Sequence, residues 1–391
     1  MTALHVWYGL LAAVVAWGVF PLPARAQAAR EEPWSCAACH HEIVASFLRT
    51  AHFRTSATAN AQSIKGDFSG GHNILHTRSP STYFKMEERD RVFYQTGVDS
   101  ARGTARTERI DLVVGSGRRG QSYLYWRFGL LFELPVSYLT GIGEWINSPG
   151  YRDGEIDFGR VIVPRCLECH STFFGVERLG GVLRYSRAYR LGIRCARCHG
   201  DGGNHVRYHS SNPGATRGLY ILNPTHLPRE RKVDVCAQCH SGPRELRAPP
   251  FSYQPGDRLD AYFAPPSDRD QPLPDVHGDQ VGLLLRSKCF RSSPDMSCST
   301  CHDVHRSGRD LETLAQKCLT CHNAPRHTVA DSIGSQLMGS CVDCHMPKQR
   351  SHAIEINTAT TRSSLYYRSH AIAIYPEATA AVLRSGARKR H

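Results

Sequence analysis

The stretch CSTCHDVH, residues 298–305, sets a histidine directly after two cysteines spaced two residues apart, and a second histidine three places further on. The first five residues form a unit, Cys-x-x-Cys-His, that recurs along the chain. It stands at Cys36/Cys39/His40, Cys166/Cys169/His170, Cys195/Cys198/His199, Cys236/Cys239/His240, Cys298/Cys301/His302, Cys318/Cys321/His322 and Cys341/Cys344/His345. These seven units use all but one of the 15 cysteines. From the Cys and His frequencies, about 0.03 such matches would arise by chance in a chain of this length.

Covalent haem attachment is the chemistry that needs this spacing. Each cysteine pair forms thioethers to the two haem vinyl groups, and the adjacent histidine is set under the iron as its proximal ligand. The sequence therefore predicts seven haem c groups. A disulfide scaffold gives no reason for a histidine after every second cysteine, and zinc sites built from Cys-x-x-Cys need two half-sites per ion. Cys289 is left over. Its simplest role is that of a buried thiol packing as a small hydrophobe, with haem ligation or an intermolecular disulfide as alternatives.

The N-terminus, MTALHVWYGLLAAVVAWGVFPLPARAQA, has an apolar core from Leu10 to Phe20 and a small-x-small site at Ala24-Arg25-Ala26. It predicts a signal peptide over residues 1–26; an uncleaved N-terminus would be the one route to membrane association. Export agrees with the motifs, because c-type haem is attached outside the cytoplasm, and a periplasmic or otherwise exported location is expected. The formal net charge is +13. Seven haems with ionised propionates and bis-histidine iron would bring a mature chain of about +12 to between roughly +5 and −2, so the basic balance does not point to nucleic acid.

About 52 mature residues per haem leave little room for an ordinary aliphatic core. With 22 prolines and 33 glycines, the chain reads as mainly α, with extensive ordered loops packed around haems. Between the first and second motifs the pattern changes. STYFKMEERDRVFYQTG, TERIDLVVGSG and QSYLYWRFGLLFELPVSYL are aromatic and β-branched runs broken by glycine, which predicts a small antiparallel β insertion over about residues 80–140. The GSGRRG within it matches Gly-x-Gly-x-x-Gly, but a strand-like run follows where a dinucleotide site needs a helix, so it reads as a hairpin turn. The expected organisation is residues 27–160 with the first motif and the β insertion, 161–375 with six motifs, and 376–391 as a basic tail. CAACHHEIVASFLRTAHF carries Ile43, Phe47 and Ala51 at helical spacing, so the first motif should open a helix ending near His52.

His305 cannot reach its own motif's iron from the other side, because the macrocycle lies between. It ligates a neighbouring haem or nothing. His205, six residues after His199 in CARCHGDGGNH, follows the same logic, with Gly200, Gly202 and Gly203 allowing close approach to a porphyrin.

CAACHHEIVASFLRTAHF, GSGRRGQSYLYWRFGLLFELPVSYL, CARCHGDGGNH, SKCFRSSPDMSCSTCHDVH and CVDCHMPKQRSHAI with YRSHAIAIYP together resemble the cytochrome c-554-type family of multihaem c-type cytochromes. The resemblance runs over nearly the whole mature chain. It implies distal haem ligands at His52, His205, His305 and His370, and by looser matches at His76, His277 and His327. His72 and His226 are reserves; His41, His209, His352 and His391 are not among the candidates, and Met346 reads as a packing residue beside His345.

If every iron has two histidines, none has a position for substrate, and the chain is an electron-transfer protein rather than an enzyme. Redox partner proteins follow, of unspecified identity, and no segment marks an oligomer surface. The alternative is a multihaem redox enzyme acting on nitrite, hydroxylamine or a sulfur oxyanion at one five-coordinate haem. No motif replaces its histidine with lysine.

Overall fold

In the computed structural model, the described residues are 33–242, 244–265, 278–308, 310–323, 327, 329–330, 334–359 and 361–388. The expected signal peptide, His277 and the last three residues of the basic tail lie outside them. Residues Pro376–Arg388 of that tail form a helix.

The chain is not mainly α. The described residues hold 14 strands in five antiparallel sheets, and their helices are short. One four-stranded sheet has the order β1 (Ser56–Thr58), β6 (Leu112–Val114), β7 (Ser122–Arg127) and β8 (Leu130–Glu133). The other runs β2 (Ile74–His76), β3 (Thr82–Arg89), β4 (Val92–Asp99) and β5 (Thr104–Arg109). Three two-stranded sheets complete the set: β9 (Val136–Leu139) with β10 (Glu144–Asn147), β11 (Ser171–Leu179) with β12 (Val182–Leu191), and β13 (Lys348–Asn357) with β14 (Arg362–Arg368). The strands thus reach well beyond an insertion at 80–140. The helix expected after the first motif spans Pro33–Phe47 and departs from helical geometry at His40 (φ −112, ψ 40).

Period-two alternation explains why β6 and β7 are buried on both faces. Tyr123, Tyr125 and Val113 point into an aromatic core with Phe84, Met86, Phe93 and Trp145. Leu112, Leu124 and Leu131 point the other way, onto Phe174 and Tyr185 of the β11–β12 hairpin and onto Phe251. β6 and β7 are antiparallel neighbours, so GSGRRG is the connection of a hairpin. Asp90 and Arg91, both at positive φ, make the two-residue turn between β3 and β4, whose twist suits a hairpin.

The strand region positions the second motif. Its short helix, Pro164–Glu168, leads through His170 into β11. Ser56 at the start of β1 donates to the His170 carbonyl (2.6 Å) and accepts from Gly192 N (2.9 Å). Gly192 has φ +69, and a Cβ there would overlap the Phe53 carbonyl, so only glycine fits this closure.

Candidate haem-binding sites

Each motif needs little more than one helical turn. Ala196–His199, Cys298–Cys301 and Cys341–His345 are helices of 4, 4 and 5 residues, enough to bring two thiols and the following imidazole to one side. The fourth motif instead ends a helix of 12 residues, Arg229–His240.

Five motif histidines face a second histidine from elsewhere in the chain. The ring centroids are 6.4 Å apart for His40 and His205, 6.1 Å for His52 and His240, and 6.0 Å for His199 and His305. They are 6.2 Å apart for His302 and His370, and 6.0 Å for His327 and His345. This separation is too wide for ring contact. Two imidazoles trans on one metal, each bound through a nitrogen at about 2 Å, place their centroids about 6 Å apart. The side chains therefore fit an iron between each pair.

Hydrogen bonding selects the nitrogen left for a metal. His199 Nδ1 lies 2.8 Å from the Leu222 carbonyl, His205 Nδ1 2.8 Å from the Leu219 carbonyl, and His345 Nδ1 2.8 Å from the Ala373 carbonyl. A carbonyl only accepts, so Nδ1 carries the proton and Nε2 is the free ligand atom. Burial holds His199 below the usual histidine range, against the Leu222 bond and with His305 adding to the depression; a ligand must be neutral. His170 Nδ1 lies 2.9 Å from Thr55 Oγ1.

Of the seven candidate distal histidines, His52, His205, His305, His327 and His370 stand opposite a motif histidine. His76 does not: its ring neighbour is Tyr83, at 6.4 Å. His277 lies outside the described residues. His322 of the sixth motif is exposed. His209, not singled out by the sequence, packs its ring 4.5 Å from that of His205. The carbonyls of Leu219, Leu222 and Ala373 leave no mark in a sequence because every residue carries one, and the Thr55 hydroxyl lies 115 residues from His170 along the chain.

The protein does not enclose every expected attachment cysteine. Cys39 of the first motif, Cys166 of the second and Cys321 of the sixth are exposed, whereas the other eleven motif cysteines are partly buried. Cys39 lies on the open side of the Pro33–Phe47 helix, next to exposed Ala38 and His40. Cys321 follows the Leu311–Leu319 helix, and the Thr320 hydroxyl points to its sulfur at 3.9 Å. Burial is therefore not what marks these residues; the motif spacing is. A thioether needs only a thiol within reach of a vinyl carbon at the porphyrin edge, and no packing around the sulfur.

Short segments serve two pairs at once. Residues 199–205 carry His199 and His205; residues 302–305 carry His302 and His305. Thus the third motif is tied to the first and to the fifth. Residues 52–56 supply His52 opposite His240 and the hydroxyls that hold His170, tying the fourth motif to the second. Residues 370–373 supply His370 and the Ala373 carbonyl, tying the fifth to the seventh.

The thiols repeat two of these ties and add one between the fourth and fifth motifs. Cys36 faces Cys195, Cys169 faces Cys239 and Cys236 faces Cys298, each within hydrogen-bonding reach. Cys318 of the sixth motif is pushed up to about 11 by burial and then by Cys341, Cys301 and Cys289 around it. The leftover Cys289 thus lies among the thiols of the last three motifs.

Comparison with known proteins finds similarity to multihaem cytochromes. Residues 153–200, which span the second and third motifs, match the family model described as cytochrome c554 and c-prime. Over 200 residues the chain is 24% identical to the multihaem cytochrome MtrA of Shewanella baltica (strain OS185); the match covers 47% of this chain and 53%, about half, of that protein. The fold is similar to that of the outer cell wall cytochrome OcwA, with a TM-score of 0.57 at 14% identity over 93% of this chain and 84% of that one. An undecahaem cytochrome from the S-layer of Carboxydothermus ferrireducens superposes with a TM-score of 0.42 at 15% identity, over 86% of this chain and 54% of that one.

Proposed function

As a multihaem c-type cytochrome of the cytochrome c-554 type, this chain is, we propose, an electron conduit that holds seven haem c groups, bis-histidine ligated at most sites, and exchanges electrons with redox partner proteins outside the cytoplasm. The observation that carries this proposal is the set of five histidine pairs at 6.0–6.4 Å, each joining a motif histidine to a second histidine beyond that motif. Bound haem supplies a one-electron Fe(III)/Fe(II) couple at each site. Everything else would be done by the chain: cysteines would fix the macrocycle, paired imidazoles would hold the iron, and carbonyls would orient the rings.

The shared segments and facing thiols support an order of neighbouring sites in which the first, third, fifth and seventh motifs form one line. The second joins the fourth, and the fourth meets the fifth. The sixth lies between the fifth and seventh. Export is supported by the N-terminal sequence and by the attachment chemistry. No helix among the described residues is long and apolar enough to cross a membrane.

Intact-mass spectrometry of the mature protein should give seven haem increments, and low-temperature EPR of the oxidised protein should show predominantly low-spin iron. Five or fewer increments in fully matured material would overturn the count. A redox enzyme needs one iron with an open face, so carbon monoxide should leave the Soret band of the reduced protein nearly unchanged. A clear change together with turnover of nitrite or hydroxylamine would replace the conduit with the enzyme.

A further inference from the structure

Three motifs place their second variable residue in one buried cluster: Glu168 of CLECH, Arg197 of CARCH and Gln238 of CAQCH, only 1%, 2% and 2% exposed. Arg165, its side chain 15% exposed, joins them from the residue before Cys166. Arg165 Nη1 is 3.8 Å from Glu168 Oε2, and its Nη2 donates to the Gln238 carbonyl at 2.7 Å. Arg197 Nη2 donates to the Glu168 carbonyl at 3.2 Å, and Phe251 N donates to Glu168 Oε1 at 2.6 Å. The guanidinium of Arg165 lies 4.7 Å from the Phe263 ring centre and that of Arg197 5.8 Å from Phe251. Cys239 Sγ stands 3.8 Å from the Glu168 carbonyl, so the cluster abuts the thiols where the second and fourth motifs meet.

The charges in this cluster do not cancel. Two guanidiniums are permanently ionised and one carboxyl can offset at most one of them, so the sum is +1 or +2 whichever state Glu168 holds. Nor is it saturated: Nε and Nη1 of both arginines make no hydrogen bond within the protein. A pair kept only for packing would be balanced and fully bonded, because an unpaired buried charge is costly. The other four motifs carry Ala38, Thr300, Thr320 and Asp343 at the same place, and Asp343 is partnered by Arg368 at 2.7 Å.

We propose that Arg165, Arg197 and Glu168 form a fixed positive charge that raises the reduction potentials of the haems on the second, third and fourth motifs. The proposal rests on the haem-binding function above. On reduction each iron passes from Fe(III) to Fe(II), gaining one electron from a partner with no bond made or broken. A nearby positive charge stabilises that added electron, strongly so where water is excluded. These arginines touch no iron ligand; they set potentials and take no part in attachment.

The test is a spectroelectrochemical titration of the full mature protein, on variants first shown by intact mass and EPR to keep the wild-type haem count and low-spin signal. Arg197→Gln should move part of the titration, up to three haems, to lower potential, while Arg197→Lys, which keeps the charge, should restore the wild-type curve. Gln238→Glu adds a carboxylate of the same size at the buried residue whose backbone carbonyl Arg165 holds and should also lower those potentials, and it supplies the answer if Arg197→Gln does not mature. A Gln238→Glu curve superimposable on wild type would overturn the proposal, as would a lysine variant that shifts as far as the glutamine one. A wild-type protein without haem on the second to fourth motifs would instead sink the haem-binding function itself.

Discussion

The strand region at 56–147 and the motif region from 195 to 373 solve the same problem, filling an interior, by different means. In the first, Phe84, Met86, Tyr123, Tyr125, Leu131, Leu134 and Val136 are almost completely excluded from solvent, and Trp145 packs against Phe68, Tyr123 and Tyr138. In the second, the motif helices bury few apolar side chains, the thiols are half-buried or, at Cys321, exposed, and pairs of imidazoles face each other across gaps. One interior is made of side chains alone. The other is completed, on the proposal above, by porphyrin faces, as expected where apolar residues are too few to offset the entropy of ordering the chain.

The sharpest way to break this contrast is to produce the chain without haem attachment and follow amide hydrogen exchange. Protection should persist over residues 82–139, where strand hydrogen bonds and the aromatic core need nothing else, and should be lost over 195–373. This is the largest effect expected, loss of essentially all stability in one region only. Equal loss in both would mean that the strand region depends on the motifs for its fold.

The converse perturbation is smaller. Trp145→Ala removes the ring that three aromatic neighbours contact and that lies over Gly66. It should cost about 3–5 kcal/mol in denaturant unfolding of the strand region, while the Soret spectrum stays that of wild type. Altered haem spectra would show that the two interiors are one.

The same contrast explains what could be read from the sequence. The proposed thioether cysteines and motif histidines are legible because attachment would fix their spacing, and this holds for exposed Cys39 and Cys321 as much as for the rest. The histidines opposite them are not marked by spacing, because a ligand across an iron can come from anywhere: His52 faces His240, whereas His327 faces the nearby His345; the five that face a motif histidine are reached through the family resemblance. Strands at 82–139 show partial alternation, clearest in β3. In β11 the register shifts between Ser171 and Phe173 and again between Phe174 and Val176, and β13 shifts between Arg350 and Glu355. Such irregularities erase the period of two, so both hairpins were absorbed into a region expected to be helical. The motif helices were overestimated for the opposite reason, since one turn suffices for the chemistry.

A ligand substitution acts at a single site. His305→Ala should leave the haem count at seven and the site of its own motif, His302 with His370, unaltered. The effect should fall on the site of His199, whose ring centre lies 6.0 Å from that of His305 at an interplanar angle of 19°. One low-spin haem should become high-spin and open to carbon monoxide. Ser46 bonds the His305 carbonyl, not its ring (2.8 Å), so the backbone stays anchored in the variant. An EPR spectrum identical to wild type would remove His305 from the ligand set.

The smallest expected effect lies where the two regions touch. Thr55, one residue before β1, sets its hydroxyl 2.9 Å from His170 Nδ1. If His170 binds iron through Nε2, then Nδ1 carries the proton and Thr55 must accept it. That bond pushes electron density toward the metal and favours Fe(III). Thr55→Val keeps the shape and removes the acceptor, at a cost of about 1 kcal/mol. The His170 carbonyl remains held by Ser56, so the ring keeps its place and the iron stays low-spin. One haem should then titrate at a slightly higher potential, with the other six unmoved. An unchanged titration would mean that Thr55 donates to Nδ1 instead. His170 would then be protonated on Nε2, and the strand region would be holding the second motif without contributing to the chemistry of its iron.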